Sequence, residues 1–227
     1  MRYCGLFHSR RITKGHEENR NLVFLHALRG SIFIVFLFFL ISCVAAQPLP
    51  PDQAQTVAAD AWQTDQQGVW VLDWPVAPVG GPVTVETWQA GNSFRYEILE
   101  AVTPALIGEI LVFNGQVAWN YNRFDSDPPV VLDSPRFSPV SDAFAVIDRL
   151  IVTLPRSATQ EPTQTIHGPA QKISLSYANG DQLTVWRDDK TQLPVKVIFS
   201  VNGQQATLNA RDFEPLVNPS ERLFTMP

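Results

Sequence analysis

Beyond residue 43 this chain offers few groups for covalent or acid–base chemistry. Its two cysteines are Cys4 and Cys43, so the remainder has no thiol nucleophile, no zinc-type Cys spacing and no disulfide. His167 is the one histidine after residue 43, and a Ser-His-Asp site needs one. It stands just before Gly168-Pro169 at a strand end, where a structural or surface role is expected. The carboxylates Asp188-Asp189 and Asp125/Asp127 fall in turn-like segments and read as solvated. No Gly-rich phosphate loop is present. Neither catalysis, nor a metal, nor an organic cofactor is expected.

Cys43 is the exception. Residues 32–41 (IFIVFLFFLI) are ten consecutive apolar residues, with basic residues before them and small ones after. A bilayer core needs about 20 helical apolar residues, so the run is short for a stable span. It suits the h-region of a signal peptide. Leu40-Ile41-Ser42-Cys43 resembles the lipobox of bacterial lipoprotein signal peptides. There the Cys sulfur takes a diacylglycerol and becomes the new N-terminus. Val44-Ala45-Ala46 also fits an ordinary small-x-small cleavage site, and an uncleaved anchor is the third reading. Ser9-Arg10-Arg11 lacks the apolar pair that follows a twin-arginine signal. Residues 1–46 are therefore read as a signal peptide or membrane-targeting segment, 47–54 as a linker and 55–227 as one domain. The expected location is extracytoplasmic and membrane-associated, or secreted or periplasmic if cleavage follows Ala46.

Charge divides the chain at the same place. The first 43 residues hold six of the 17 Lys/Arg and two of the 22 Asp/Glu, which leaves 11 basic and 20 acidic residues beyond them. An acidic domain without a basic stripe is a poor polyanion binder, so nucleic acid is not expected.

The elements follow from hydrophobic period. Asp52 to about Thr64 reads as a helix, with Ala54, Val57, Ala58, Ala61 and Trp62 on one side. Period two then takes over in Gly68–Trp74, Val83–Gln89 and Phe94–Ala101. In the third strand Phe94, Tyr96 and Ile98 share one face, while Arg95 and Glu97 share the other. That alternation marks a sheet with one covered and one wet face. Leu106–Phe113 and Gln116–Asn122 flank Asn114-Gly115, a hairpin signal whose two turn residues both need positive φ. Pro128 and Pro129 begin a loop. Ser141–Leu154 is the clearest helix. Ser141 is its expected cap, Ala143, Phe144, Val146, Ile147, Leu150, Ile151 and Leu154 form its stripe, and Pro155 stops it. Strands follow at 163–167, 171–178, 182–187, 195–201 and 204–213, with Asn179-Gly180 and Asn202-Gly203 as turns.

Nine or ten sequential antiparallel strands make a sheet that must curl, and its apolar face needs a cover. Two amphipathic helices are available. The expected fold is α+β, mainly β: an open antiparallel half-barrel with helices covering its concave face. An apolar cavity between sheet and helices is a natural ligand site. Its expected lining is Trp70, Trp74, Phe94, Tyr96, Ile98, Ile110, Val112, Trp119, Tyr121, Phe144, Ile147, Ile151, Tyr177 and Phe199. Arg95 and Lys196, on the outward face, are candidates for a phosphate or carboxylate headgroup, though such strand residues are ordinarily solvated.

Four segments carry a family resemblance. Leu111–Phe124 (LVFNGQVAWNYNRF) and Trp88–Ile98 (WQAGNSFRYEI) look like consecutive segments of the lipoprotein carrier LolA and the wider LolA/LolB/LppX-like group. Trp186 followed by Leu193-Pro194-Val195-Lys196 is similar to a hairpin of that group, and Arg222–Pro227 resembles its closing strand. The resemblance runs through most of residues 55–227 in the right order. It implies an open half-barrel that binds acyl chains of a lipid or lipoprotein, without enzymatic activity. LolA-type carriers place an arginine at the turn before the aromatic strand, where this chain has Gln89-Ala90-Gly91-Asn92. That departure speaks against lipoprotein release and hand-over, and Cys43 suggests a tether where LolA-type carriers are soluble, so a tethered acceptor or lipid-binding lipoprotein is expected. An RseB-like sensor or regulator and an envelope lipoprotein without ligand are the alternatives on the same fold.

Overall fold

The computed structural model describes residues 46–75, 81–133 and 139–226. Residues 46–227 form one compact unit. In chain order it contains β1 (Gln47–Leu49), α1 (Pro51–Gln63), β2 (Gln66–Asp73), β3 (Val83–Ala90), β4 (Ser93–Glu100), β5 (Glu109–Phe113), β6 (Ala118–Asn122) and β7 (Val130–Leu132). There follow α2 (Pro139–Val152), β8 (Ser157–Thr165), β9 (Gly168–Ser176), β10 (Gln182–Asp188), β11 (Pro194–Val201) and β12 (Gln204–Pro215). The segment expected as a linker is instead an edge strand and the first turn of a helix. Pro48 and Pro50 hold it extended, and Gln47 and Leu49 pair with Gln160 and Ala158. Pro51 then opens α1, where a missing N–H costs nothing.

The twelve strands form one open antiparallel sheet in the order β1-β8-β9-β10-β11-β12-β2-β3-β4-β5-β6-β7. It is two meanders, β2 to β7 and β8 to β12, sewn together where β12 pairs with β2. The chain leaves β7 at one edge and re-enters at β8 near the other, and α2 makes that crossing. Register puts apolar rungs across most of the sheet. One runs Ile173, Val185, Val197, Leu208, Leu72, Val83 through six strands. A second runs Ala158, Leu175, Leu183, Phe199, Ala206. All these side chains are buried. Register shifts at Thr84/Val85, Trp186/Arg187 and Ala210/Asp212 add local twist to the curl.

Both helices cover this apolar face. Helix α1 meets it with Ala54, Ala58 and Trp62, and α2 with Val140, Ala143, Ile147, Leu150 and Ile151. Leu154, expected on the α2 stripe, is 67% exposed, because the helix ends at Val152 and its period no longer applies. Ser141 is not the cap. The helix begins at Pro139, and Ser141 is buried in its first turn.

The three Asn-Gly turns differ. Only Asn202-Gly203 has both residues at positive φ, 52° and 77°, as a two-residue hairpin requires. At 114–117 the positive φ is confined to Gly115 (87°). Asn114 Oδ1 instead accepts the Gln116 and Val117 amides at 3.0 and 2.9 Å, so the loop is longer and held by a side chain. Asn179 acts in the same way toward the Asp181 amide, at 3.1 Å.

Candidate functional site

The helix-covered face is built around aromatic contacts between helices and strands. Phe144 of α2 stacks on Trp62 of α1, centroids 5.7 Å apart, and lies 6.5 Å from Tyr96 of β4. Trp62 meets Trp70 of β2 edge-on at 6.3 Å. Trp74 meets Phe199 of β11 edge-on at 5.4 Å. The helices are bonded to each other by Trp62 Nε1 to Asp148 Oδ1 at 2.7 Å and Gln55 Nε2 to the Ile151 carbonyl at 2.8 Å. Helix α2 is bonded to the sheet near its C-terminus. There the Tyr177 hydroxyl donates to the Leu150 carbonyl at 2.6 Å, and Arg149 lies 3.6 Å from Asp181. Burial, and then the Asp181 charge, push the Tyr177 phenol above its ordinary pKa, so it stays a donor. The Trp74 indole N–H is buried with no acceptor among the described residues.

Of the residues named from sequence, Trp70, Tyr96, Ile98, Ile147, Ile151, Tyr177 and Phe199 are buried in this cluster, and Trp74, Phe94 and Phe144 pack against it. Ile110, Val112, Trp119 and Tyr121 are not there, which corrects their assignment. They belong to a second cluster, with Trp88, Leu216, Leu223 and Phe224. Strand parity gives the reason. Leu111 pairs with Tyr96 and faces the helices, so its neighbours Ile110 and Val112 must face outward, level with Glu97 and Arg95.

That outer face is therefore not uniformly wet. A C-terminal strap covers it, with Leu216, Leu223 and Phe224 pressed on β5 and β6. The strap includes a 3-10 turn at Glu221–Phe224, in place of the expected closing strand. Glu97 is only 6% exposed. It is bonded to Arg123 and lies 3.7 Å from Arg95, whose guanidinium sits 5.3 Å above the Trp88 ring. Burial, followed by the Glu97 charge, raises the Glu86 carboxyl above its ordinary pKa, and Arg95 and Arg123 oppose the rise.

A separate cleft of about 440 Å³ lies at the tip of the β8–β9 hairpin, between His167, Trp186, Lys196 and Asn209. The Lys196 ammonium stands 5.0 Å from the Trp186 ring centre. His167 is tied down, Nε2 2.9 Å from the Ala210 carbonyl and edge-on to Phe213. Asp188, expected to be solvated, is buried. Its Oδ2 accepts the Lys190 and Thr191 amides and the Thr191 hydroxyl at 2.7–3.0 Å, which pins the β10–β11 turn. Asp125, Asp127 and Asp189 are exposed. No group of three or more His, Cys, Asp or Glu side chains among the described residues could hold a metal ion. Cys43 lies outside the described residues, and among those described no helix is long and apolar enough to cross a membrane.

No family model matches the sequence, and no curated relative matches it. Solved structures do match. An uncharacterized conserved protein from Thermus thermophilus is 15% identical over 78% of this chain and 93% of its own, with a TM-score of 0.50. The LolA superfamily protein NE2245 from Nitrosomonas europaea is 13% identical over 78% of this chain and 98% of its own, at 0.37. The MucA/MucB complex of Pseudomonas aeruginosa matches at 14% identity over 78% of this chain and 60% of that one, at 0.46. At these identities the likeness is one of fold. This chain is an open antiparallel sheet of two sewn meanders with paired helices on one face, and the Thermus thermophilus protein matches that fold.

Proposed function

We propose that this protein is a non-enzymatic binding protein of the cell envelope that shelters an acyl chain of a lipid or lipoprotein between its sheet and its two helices. The observation that carries the reading is the apolar face itself. It is continuous across nine strands and is covered by two helices that are bonded to one another, to Gln66 at the end of α1 and to Tyr177 and Asp181 at the end of α2. The helices occupy the face in this structure, so a ligand enters by displacing them. Exchanging one apolar neighbour for another costs little in transfer energy. The buried Trp74 N–H, at the rim beside Phe199, is a ready donor to a ligand ester or carboxylate.

Native mass spectrometry of the purified protein tests this. Added mass of one lipid or fatty acid is expected. A clean apo mass, with no uptake of a fluorescent fatty acid, would sink the proposal. The N-terminal segment holds the domain at a membrane, and lipidation of Cys43 is the proposed means. Cys43→Ser should change both the mass and the membrane retention; if neither changes, lipidation is wrong.

A second reading, a regulatory module that binds a partner polypeptide, draws on β7. This strand ends the sheet, and its Val130 and Val131 are 59% and 62% exposed, a suitable edge for an added strand. Capture of a peptide without any lipid would favour it.

A further inference from the structure

The end of α2 carries an apolar patch that the core does not use. Ile147, Leu150 and Ile151 are buried against the sheet, whereas Val152 and Leu154 are 69% and 67% exposed. The backbone here is held in place. The Thr153 hydroxyl donates to the Arg149 carbonyl, and the Arg156 amide donates to the Ser176 carbonyl, both at 2.7 Å. Two large aliphatic side chains are thus kept in water by a fixed turn.

Single exposed aliphatics are ordinary on any protein. This pair is distinguished by its flanks. Residues 149–156 (RLIVTLPR) hold two of the 11 basic residues beyond residue 43 and none of the 20 acidic ones. Arg156 is exposed and has no carboxylate partner among the described residues. Arg149 reaches Asp181 at 3.6 Å and is still 53% exposed. The domain as a whole is acidic and repels an anionic surface, but locally the aliphatic tips between guanidinium groups match a bilayer interface, where apolar groups enter the acyl boundary and arginines stay at the level of anionic headgroups.

Connectivity puts the patch beside the junction between β1 and α1, close in sequence to the start of the domain. Leu49 of β1 pairs with Ala158, just after the turn that leaves α2. Gln55 of α1 bonds the Ile151 carbonyl. Because β1 runs antiparallel to β8, with Gln47 opposite Gln160, it is the Leu49 end of β1 that lies nearest the patch, and Ala46 is at the far end of the pairing; Val44 and Ala45 separate Ala46 from Cys43. We infer that Val152 and Leu154, flanked by Arg149 and Arg156, dock the domain on the surface of an anionic bilayer. The inference rests on the membrane attachment proposed above and is independent of lipid sheltering.

The test uses the full chain with a site-specific protease site inserted after Cys43, reconstituted in phosphatidylcholine vesicles with or without phosphatidylglycerol. The tether is cut on the vesicles, and flotation separates bound from released domain. The wild-type domain should stay with the phosphatidylglycerol vesicles after cleavage. Val152→Ser/Leu154→Ser should weaken that partition at least about tenfold. Arg149→Gln/Arg156→Gln should weaken it by about as much on anionic vesicles and little on neutral ones. Circular dichroism checks that both variants fold. Release of wild type from both kinds of vesicle, or equal retention of wild type and variants, overturns the inference alone. A chain that stays off vesicles before cleavage overturns the attachment as well.

Discussion

Ile147→Ala probes the interface on which both the fold and the proposed ligand depend. Ile147 is fully buried at the centre of the α2 stripe, between Ala143 and Ile151, and faces the apolar rungs of the sheet. The substitution removes three carbons. At about 0.8 kcal/mol per buried methylene the lost transfer energy is about 2.4 kcal/mol. The void left behind adds to this, and such changes cost about 2–5 kcal/mol in all. A loss of about 3 kcal/mol is expected in urea denaturation with an unchanged m-value. The midpoint temperature should fall by about 2–4 °C per kcal/mol for a domain of this length. The same void lowers the cost of admitting an acyl chain, so the variant should bind a fluorescent fatty acid more tightly than wild type. A saturating fatty acid should restore part of its lost stability. A stability loss below about 1 kcal/mol would refute the packing argument, since it would mean that α2 does not hold that face closed. A full loss with unchanged fatty-acid affinity would leave the packing intact and refute the link to the ligand.

Other substitutions test other parts of the structure. Phe224→Ala should cost about 3 kcal/mol in chemical denaturation, the low end for a buried Phe, because it lifts the strap from Ile110 and Val112; an effect within error would mean that the strap is not packed. Glu86 has a raised carboxyl pKa in the folded state, so the folded protein binds its proton more tightly than the unfolded chain. Its contribution to stability therefore falls as pH rises from about 4.5 through the raised value. Glu86→Gln should stabilise the protein at pH 7 and flatten that part of the pH profile, and equal profiles would contradict the assignment. Gly203→Ala meets no atom within 4 Å and suffers only its φ of +77°, a cost of about 1 kcal/mol. Gly68→Ala places Cβ 2.5 Å from the Asp212 carbonyl and should cost distinctly more; the reverse order in thermal melts would contradict the β2–β12 geometry.

The helices and most strands were legible because their periods were clean. The stripe of α2 and the alternation Phe94, Tyr96, Ile98 both place the observed core. Strand β5 misled because Ile110, Leu111 and Val112 are all apolar. Such a run marks burial on both faces and gives no parity. The outer cover was the missing piece, and the signal for it was Trp88 and Trp119 sharing a face with Arg95 and Val112. The strap itself has no period to read, since its helical part is one 3-10 turn. Strands β1 and β7 have three residues each, too few to show alternation; long-range pairing selects them. Asp188 read as solvated because it stands in a turn, but in a turn of this kind the carboxylate is the hydrogen-bonding centre.

The central claim is that a lipid chain lies on the helix-covered face. Photo-crosslinking with a diazirine-bearing fatty acid, followed by peptide mapping, tests it most directly. Crosslinks are expected on α2 around Phe144–Ile151 and on the strand residues facing it, such as Tyr96, Leu183 and Phe199. Crosslinks confined to the strap at Leu216–Phe224, to β5 and β6, or to the hairpin cleft at His167 and Lys196 would contradict it.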